Sequence, residues 1–69
     1  MKGKIISVVN QGTIVQVFCS NSDGDEPSVF YIPFDQRMFK HFIEGVEAQG
    51  NDLKGLEIEY DGETVNIKN

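Results

Sequence analysis

"SVFYIPFDQRMFKHF", residues 28–42, holds five of the chain's seven aromatic residues: Phe30, Tyr31, Phe34, Phe39 and Phe42. Its hydrophobic period changes halfway. "SVFYI" (28–32) is rich in β-branched and aromatic residues and predicts a strand. Pro33 is unsuited to a central strand, and Asp35 is a good N-cap for "QRMFKHFIEGVEAQ" (36–49). Within that segment Met38, Phe39, Phe42, Ile43 and Val46 recur at helical spacing and form one apolar stripe. Gln36, Arg37, Lys40, His41, Glu44 and Glu47 take the other face. Gly45 weakens the helix by roughly 1 kcal/mol relative to alanine, and Gly50 ends it. Phe39 and Phe42 are therefore expected to cover a sheet.

The flanking sequence supplies that sheet. "KGKIISVVN" (2–10) and "TIVQVFC" (13–19) predict two strands joined by the turn residues "NQG" (10–12). "SNSDGDEP" (20–27) is a polar, acidic loop closed by Pro27. Further on, "LEIEY" (56–60), opened by Gly55, alternates Leu56, Ile58 and Tyr60 against Glu57 and Glu59. Asp61-Gly62 predicts a two-residue type I′ turn, from which "ETVNI" (63–67) returns with Val65 and Ile67 on one face. The expected architecture is mainly β. Residues 1–69 are expected to form a single domain, a five-stranded OB-like small barrel with one helix between strands 3 and 4. The helical stripe would plug the open end of that barrel. SH3-like and Sm-like barrels are the competing architectures, but they do not place a helix of this length there.

A chain of 69 residues buries only roughly 60% of its unfolded surface, so a net stability of a few kcal/mol is expected. No apolar run approaches the roughly 20 residues needed to span a bilayer, so no membrane partner is expected. "MKGKIISVVNQG" starts basic, but its apolar stretch is short and lacks a small-residue cleavage site, so it reads as a strand and not a signal peptide. The single cysteine, Cys19, excludes an internal disulfide, and a cytoplasmic location is expected. Cys19 itself reads as a small core residue. One cysteine and one histidine, His41, cannot build a zinc site of the usual spacing. "SNSDGDEP" lacks the spacing of a calcium loop. No local motif suggests a catalytic triad. The expectation is accordingly no enzyme, no catalytic residue, no metal and no cofactor.

The net charge of −5 opposes non-specific attraction to phosphate. The charge is unevenly spread, however. Lys2, Lys4, Arg37 and Lys40 lie in the first forty positions, whereas "LEIEYDGE" (56–63) carries acids and no base. A basic face and an acidic face on one small body are expected.

Three stretches resemble the cold-shock domain, and together they cover most of the chain. "MKGKI" (1–5) is similar to that family's opening. "DGDEPSVFYI" (23–32) resembles its acidic-glycine loop and following strand, with Val29-Phe30 matching Val-Phe. "LKGLEIEYDGE" (53–63) resembles its Leu-x-x-Gly-x-x-Val-x-Phe strand through Leu53, Gly55, Ile58 and Tyr60. The resemblance implies single-strand binding, in which bases stack on strand aromatics. The chain departs from that platform at several positions. Ile6-Ser7-Val8 stand where the family has Lys-Trp-Phe, and Thr13 and Val15 replace two aromatics of the second strand. Ile32 and Pro33 replace the His and Phe that follow Phe30.

Two function classes follow. The first is weak binding of single-stranded RNA or DNA, with Phe18 and Phe30 as stacking rings and Lys4, Arg37 and Lys40 as phosphate contacts. Alternation puts Phe30 and Tyr31 on opposite faces and leaves open which one is outside. The second is a protein-interaction module on the same fold, presenting an acidic face or an exposed strand edge to a basic protein partner.

Overall fold

A computed structural model describes residues 1–24 and 26–68. Five strands and one helix follow in the order β1 (Lys2–Asn10), β2 (Ile14–Asn21), β3 (Val29–Asp35), α1 (Gln36–Ala48), β4 (Glu57–Tyr60) and β5 (Val65–Lys68). The strands form one antiparallel sheet in the order β3-β2-β1-β4-β5. β3 and β5 are its two edges, and among the described residues no ladder joins them. The expected mainly β architecture with a helix after the third strand is therefore present, with the five strands in one sheet that is not closed among the described residues.

Alternation sorts the side chains of each strand. Ile5, Val15, Val17, Cys19, Phe30, Ile32, Phe34, Leu56 and Ile58 all point to one side and are buried there. Helix α1 adds Val46 to this core. Phe42 stacks on Phe34 with ring centroids 5.2 Å apart, and Phe39 meets the same ring tilted at 6.0 Å. Val65, Ile67 and Tyr60 close the core from the second hairpin. Met38 departs from the expected stripe. It lies in the first turn and is 50% exposed. Ile43 is only half-buried.

The ends of α1 follow the sequence. The Asp35 carboxylate accepts the Met38 N–H at 2.7 Å. At the other end Gly50, with φ of 73°, allows the Asn51 N–H to reach the Val46 carbonyl and the Gly50 N–H to reach that of Glu47. Gln36, expected only on the polar face, donates from Nε2 to the Gly12 carbonyl and the Asn10 Oδ1, pinning the β1–β2 turn to the helix.

Two local expectations are corrected. β3 does not stop at Ile32 but runs through Pro33 to Asp35. The Asn21 N–H donates to the Ser28 carbonyl at 2.8 Å, next to the Ser20–Val29 pair. Bonded and non-bonded pairs alternate in an antiparallel ladder. Cys19–Phe30, Val17–Ile32 and Val15–Phe34 are therefore the bonded pairs, while Ser20–Val29, Phe18–Tyr31 and Gln16–Pro33 are not. The Pro33 nitrogen thus faces the free edge, where a missing N–H costs the sheet nothing. The second correction concerns the β4–β5 turn. Tyr60 pairs with Val65, so residues 61–64 form the loop. Among the described residues only glycines have positive φ, whereas a type I′ turn at Asp61-Gly62 needs it at Asp61. Instead the Asp61 carboxylate accepts the N–H groups of Glu63 and Thr64, both at 2.8 Å.

Gly3 sits where the sheet is most crowded. It faces Asn21 on β2 and Ile58 on β4, so β1 is paired on both sides at this point. A Cβ there would lie 2.3 Å from the Ser20 carbonyl oxygen and 2.9 Å from the Phe30 ring. Gly45 is the opposite case, since a Cβ there meets nothing within 4 Å. Gly3→Ala should destabilise the fold by about 1–3 kcal/mol, and Gly45→Ala should stabilise it by up to about 1 kcal/mol. Urea midpoints of the two variants check both signs. A neutral Gly3→Ala would contradict the described crossing.

Candidate interaction face

The side of the sheet turned away from the core carries two kinds of surface. On β1, β4 and β5 it is a checkerboard of charges. Lys2 Nζ lies 3.9 Å from Glu59, Lys4 Nζ 3.7 Å from Glu57, and Lys68 Nζ 3.8 Å from Glu59. Each pair is exposed and worth about 0–1 kcal/mol. Lys2, Lys4 and Lys68 also line an open cavity of about 510 Å³ together with Ser22 and Glu57. The lysines there are matched by carboxylates, so this quarter is not a basic patch.

On β2, β3 and the second half of β1 the outer surface is almost uncharged. The register of β1 against β2 shifts between Ile5 and Ser7, so Ile6 and Ser7 together oppose Phe18. Such a bulge keeps both residues on the outer side and exposes Ile6. Val9, Ile14, Val29 and Tyr31 are also exposed on this side. Phe18 and Tyr31 form a non-bonded pair, the closer of the two pair types. Their rings meet at 5.7 Å with an interplanar angle of 41°. Gln16, Ser20 and Pro33 fill the remaining outer positions of the two strands, and Asp35 is the first charge reached along β3.

The residues expected to contact nucleic acid are not brought together. Phe30 is 8% exposed and packs its ring over Gly3, so it belongs to the core, and Tyr31, 49% exposed, holds the outward position. Phe18 lies on the outer face, half-buried against Tyr31. Lys4 faces Glu57 at the end of the sheet where Ser20 pairs with Val29. Arg37 and Lys40 lie on α1, which starts beyond the Ile14–Asp35 pair. Ser20 and Ile14 are six residues apart along β2, a separation of about 20 Å. The expected basic face is therefore absent.

The exposed apolar set of Ile6, Val9, Ile14, Val29 and Tyr31 escaped the reading of the sequence. The only signal for it is apolar residues at both phases of the alternation in β1, β2 and β3, which the bulge obscures in β1.

Two titrations complete the picture. Burial pushes the Cys19 thiol up to about 11, so it is protonated and inert at neutral pH. The backbone N–H groups of Thr64 and Glu63, with the Thr64 hydroxyl, hold the Asp61 carboxyl below the usual range. Among the described residues no group of three His, Cys, Asp or Glu side chains is placed to hold a metal ion. Among the same residues no helix is long and apolar enough to cross a membrane. No family model matches the chain, and no match is found among curated proteins or solved structures.

The Asp61 arrangement has a pH consequence. A carboxyl whose value is lowered in the folded state stabilises that state above its ordinary value of about 3.9, and the contribution is lost as pH falls through the lower, folded value. The amide resonances of Glu63 and Thr64 should accordingly titrate with a midpoint below the ordinary carboxylate value, measured by NMR between neutral and acid pH. Asp61→Ala should abolish that titration.

Proposed function

We propose that the chain is an OB-type domain that works as a protein-interaction module, docking a partner on the outer face of β1–β3. The OB reading is supported by the strand order β3-β2-β1-β4-β5, with α1 entering after β3. The interaction reading is carried by one observation. Ile6, Val9, Ile14, Val29 and Tyr31 stand exposed around the Phe18–Tyr31 pair with no charged side chain between them. A contiguous apolar surface with an aromatic centre favours a desolvating partner. Phosphate recognition needs converging cations, and here Lys2, Lys4 and Lys68 each face a glutamate.

Single-stranded RNA or DNA binding is the second reading, because two neighbouring rings on an exposed sheet face are also a stacking platform. In that reading the rings are Phe18 and Tyr31 in place of Phe18 and Phe30.

Site-specific photocrosslinking separates the two. A photoreactive phenylalanine analogue at position 31 should yield nuclease-resistant adducts with protein, and the same probe at position 40, on α1, should not. Adducts lost on nuclease treatment would replace the first reading with the second. Once the partner is in hand, Tyr31→Ala should weaken its binding by about 2 kcal/mol while leaving the melting temperature nearly unchanged.

A further inference from the structure

We propose that the free edge of β3 is a strand-addition site for an extended segment of a partner protein, one with apolar residues at alternate positions and Lys or Arg at both ends. This rests on the protein-interaction reading of the outer face and specifies how the partner is held.

The ladder between β2 and β3 decides which backbone groups are on offer. Val29 and Tyr31 belong to non-bonded pairs with Ser20 and Phe18, so their N–H and C=O groups point away from β2. No other strand takes them up among the described residues. Pro33, the next residue of the same phase, offers a carbonyl but no N–H, so pairing ends there. The edge between is short and uncharged. Pro33 is one of the usual protections against pairing with another chain, and it confines the open edge to Val29–Ile32, where lysines, bulges and inward charges are missing. β5, the other edge, is a poorer template, because its outward positions are Asn66 and Lys68.

Side chains and charges set the chemistry of the added strand. Its outward residues would lie beside Val29 and Tyr31 and extend the apolar face already centred on Phe18. Exposed carboxylates stand at both ends of β3: Glu26 and Asp23 in the loop that leads into it, and Asp35 at its far end. Lys2 and Lys4, the nearest cations on the sheet, face Glu59 and Glu57, and Arg37 is the one cation close to Asp35 in the chain. With a net charge of −5 on the whole molecule, the complementary segment is basic.

The test uses the full chain and two synthetic peptides of about ten residues, both alternating valine and serine. One carries two lysines at each end and the other two glutamates. On adding the lysine peptide, the Val29 and Tyr31 amides should gain hydrogen-exchange protection, read by NMR. The glutamate peptide should bind at least about tenfold more weakly. Val29→Pro removes one edge N–H that makes no bond to β2, so it should leave the urea midpoint near that of Val29→Ala yet lower peptide affinity about tenfold relative to it. Shifts at Phe18 and Tyr31 without protection of the edge amides would overturn strand addition while leaving the docking face standing. Equal binding of the two peptides would overturn the basic partner. An oligo-pyrimidine that occupies the face when neither peptide does would overturn this inference and the protein-interaction reading together.

Discussion

The close crossing at Gly3 is the constraint on which the rest of the structure depends. β1 is paired on both sides at this level, facing Asn21 on β2 and Ile58 on β4. The Ser20 carbonyl and the Phe30 ring occupy the space a side chain would need. With Phe30 lodged over Gly3, the whole inward phase of β3 follows, Phe30, Ile32 and Phe34. A slip of one residue would invert every side chain of the strand. Phe34 then supplies the ring on which Phe39 and Phe42 settle, and so fixes where α1 lies. Val29, Tyr31 and Pro33 are left outside for the same reason. The core and the exposed apolar face are thus two consequences of one register.

That link gives the apolar surface its meaning. A small domain short of core material would gain by burying Tyr31 and Ile14, each worth about 1.5–3 kcal/mol for a side chain of that size when fully buried. The fold leaves both exposed, with Ile6 raised beside them by the bulge. Elsewhere on the same side, the sheet is covered by Lys–Glu pairs that keep it wet. The contrast within one face is what supports the proposal that the β1–β3 half docks an apolar partner.

Much of this was legible in the sequence, and the failures have physical causes. The helix from Gln36, its Asp35 cap and its Gly50 end followed from local chemistry, and the order of strands and helix along the chain followed from the spacing of turn residues. Pro33 misled because its effect depends on which strand is an edge, a property of the assembled sheet and not of β3 alone. The expected two-residue turn at Asp61-Gly62 would pair Tyr60 with Glu63, but Tyr60 pairs with Val65, since the carboxylate's grip on Glu63 and Thr64 favours the longer loop. At the site, alternation could pair Phe30 with the opposite face from Tyr31 but could not say which was outside. The close approach over Gly3 decides it, and that contact joins residues 27 positions apart. The Lys4–Glu57 and Lys2–Glu59 pairs were equally out of reach, being cross-strand neighbours from the two ends of the chain.

Both the core and the exposed apolar face depend on the orientation of β3. Two-dimensional NOE spectra of the protein in solution test it directly. The prediction is cross-peaks from the Phe30 ring protons to the Gly3 Hα atoms, and from the Tyr31 ring to the Phe18 ring, with the Tyr31 signals broadened by a soluble paramagnetic agent and those of Phe30 spared. Cross-peaks from Tyr31 to Gly3, with Phe30 the ring open to the agent, would contradict it and remove the basis for the interaction face.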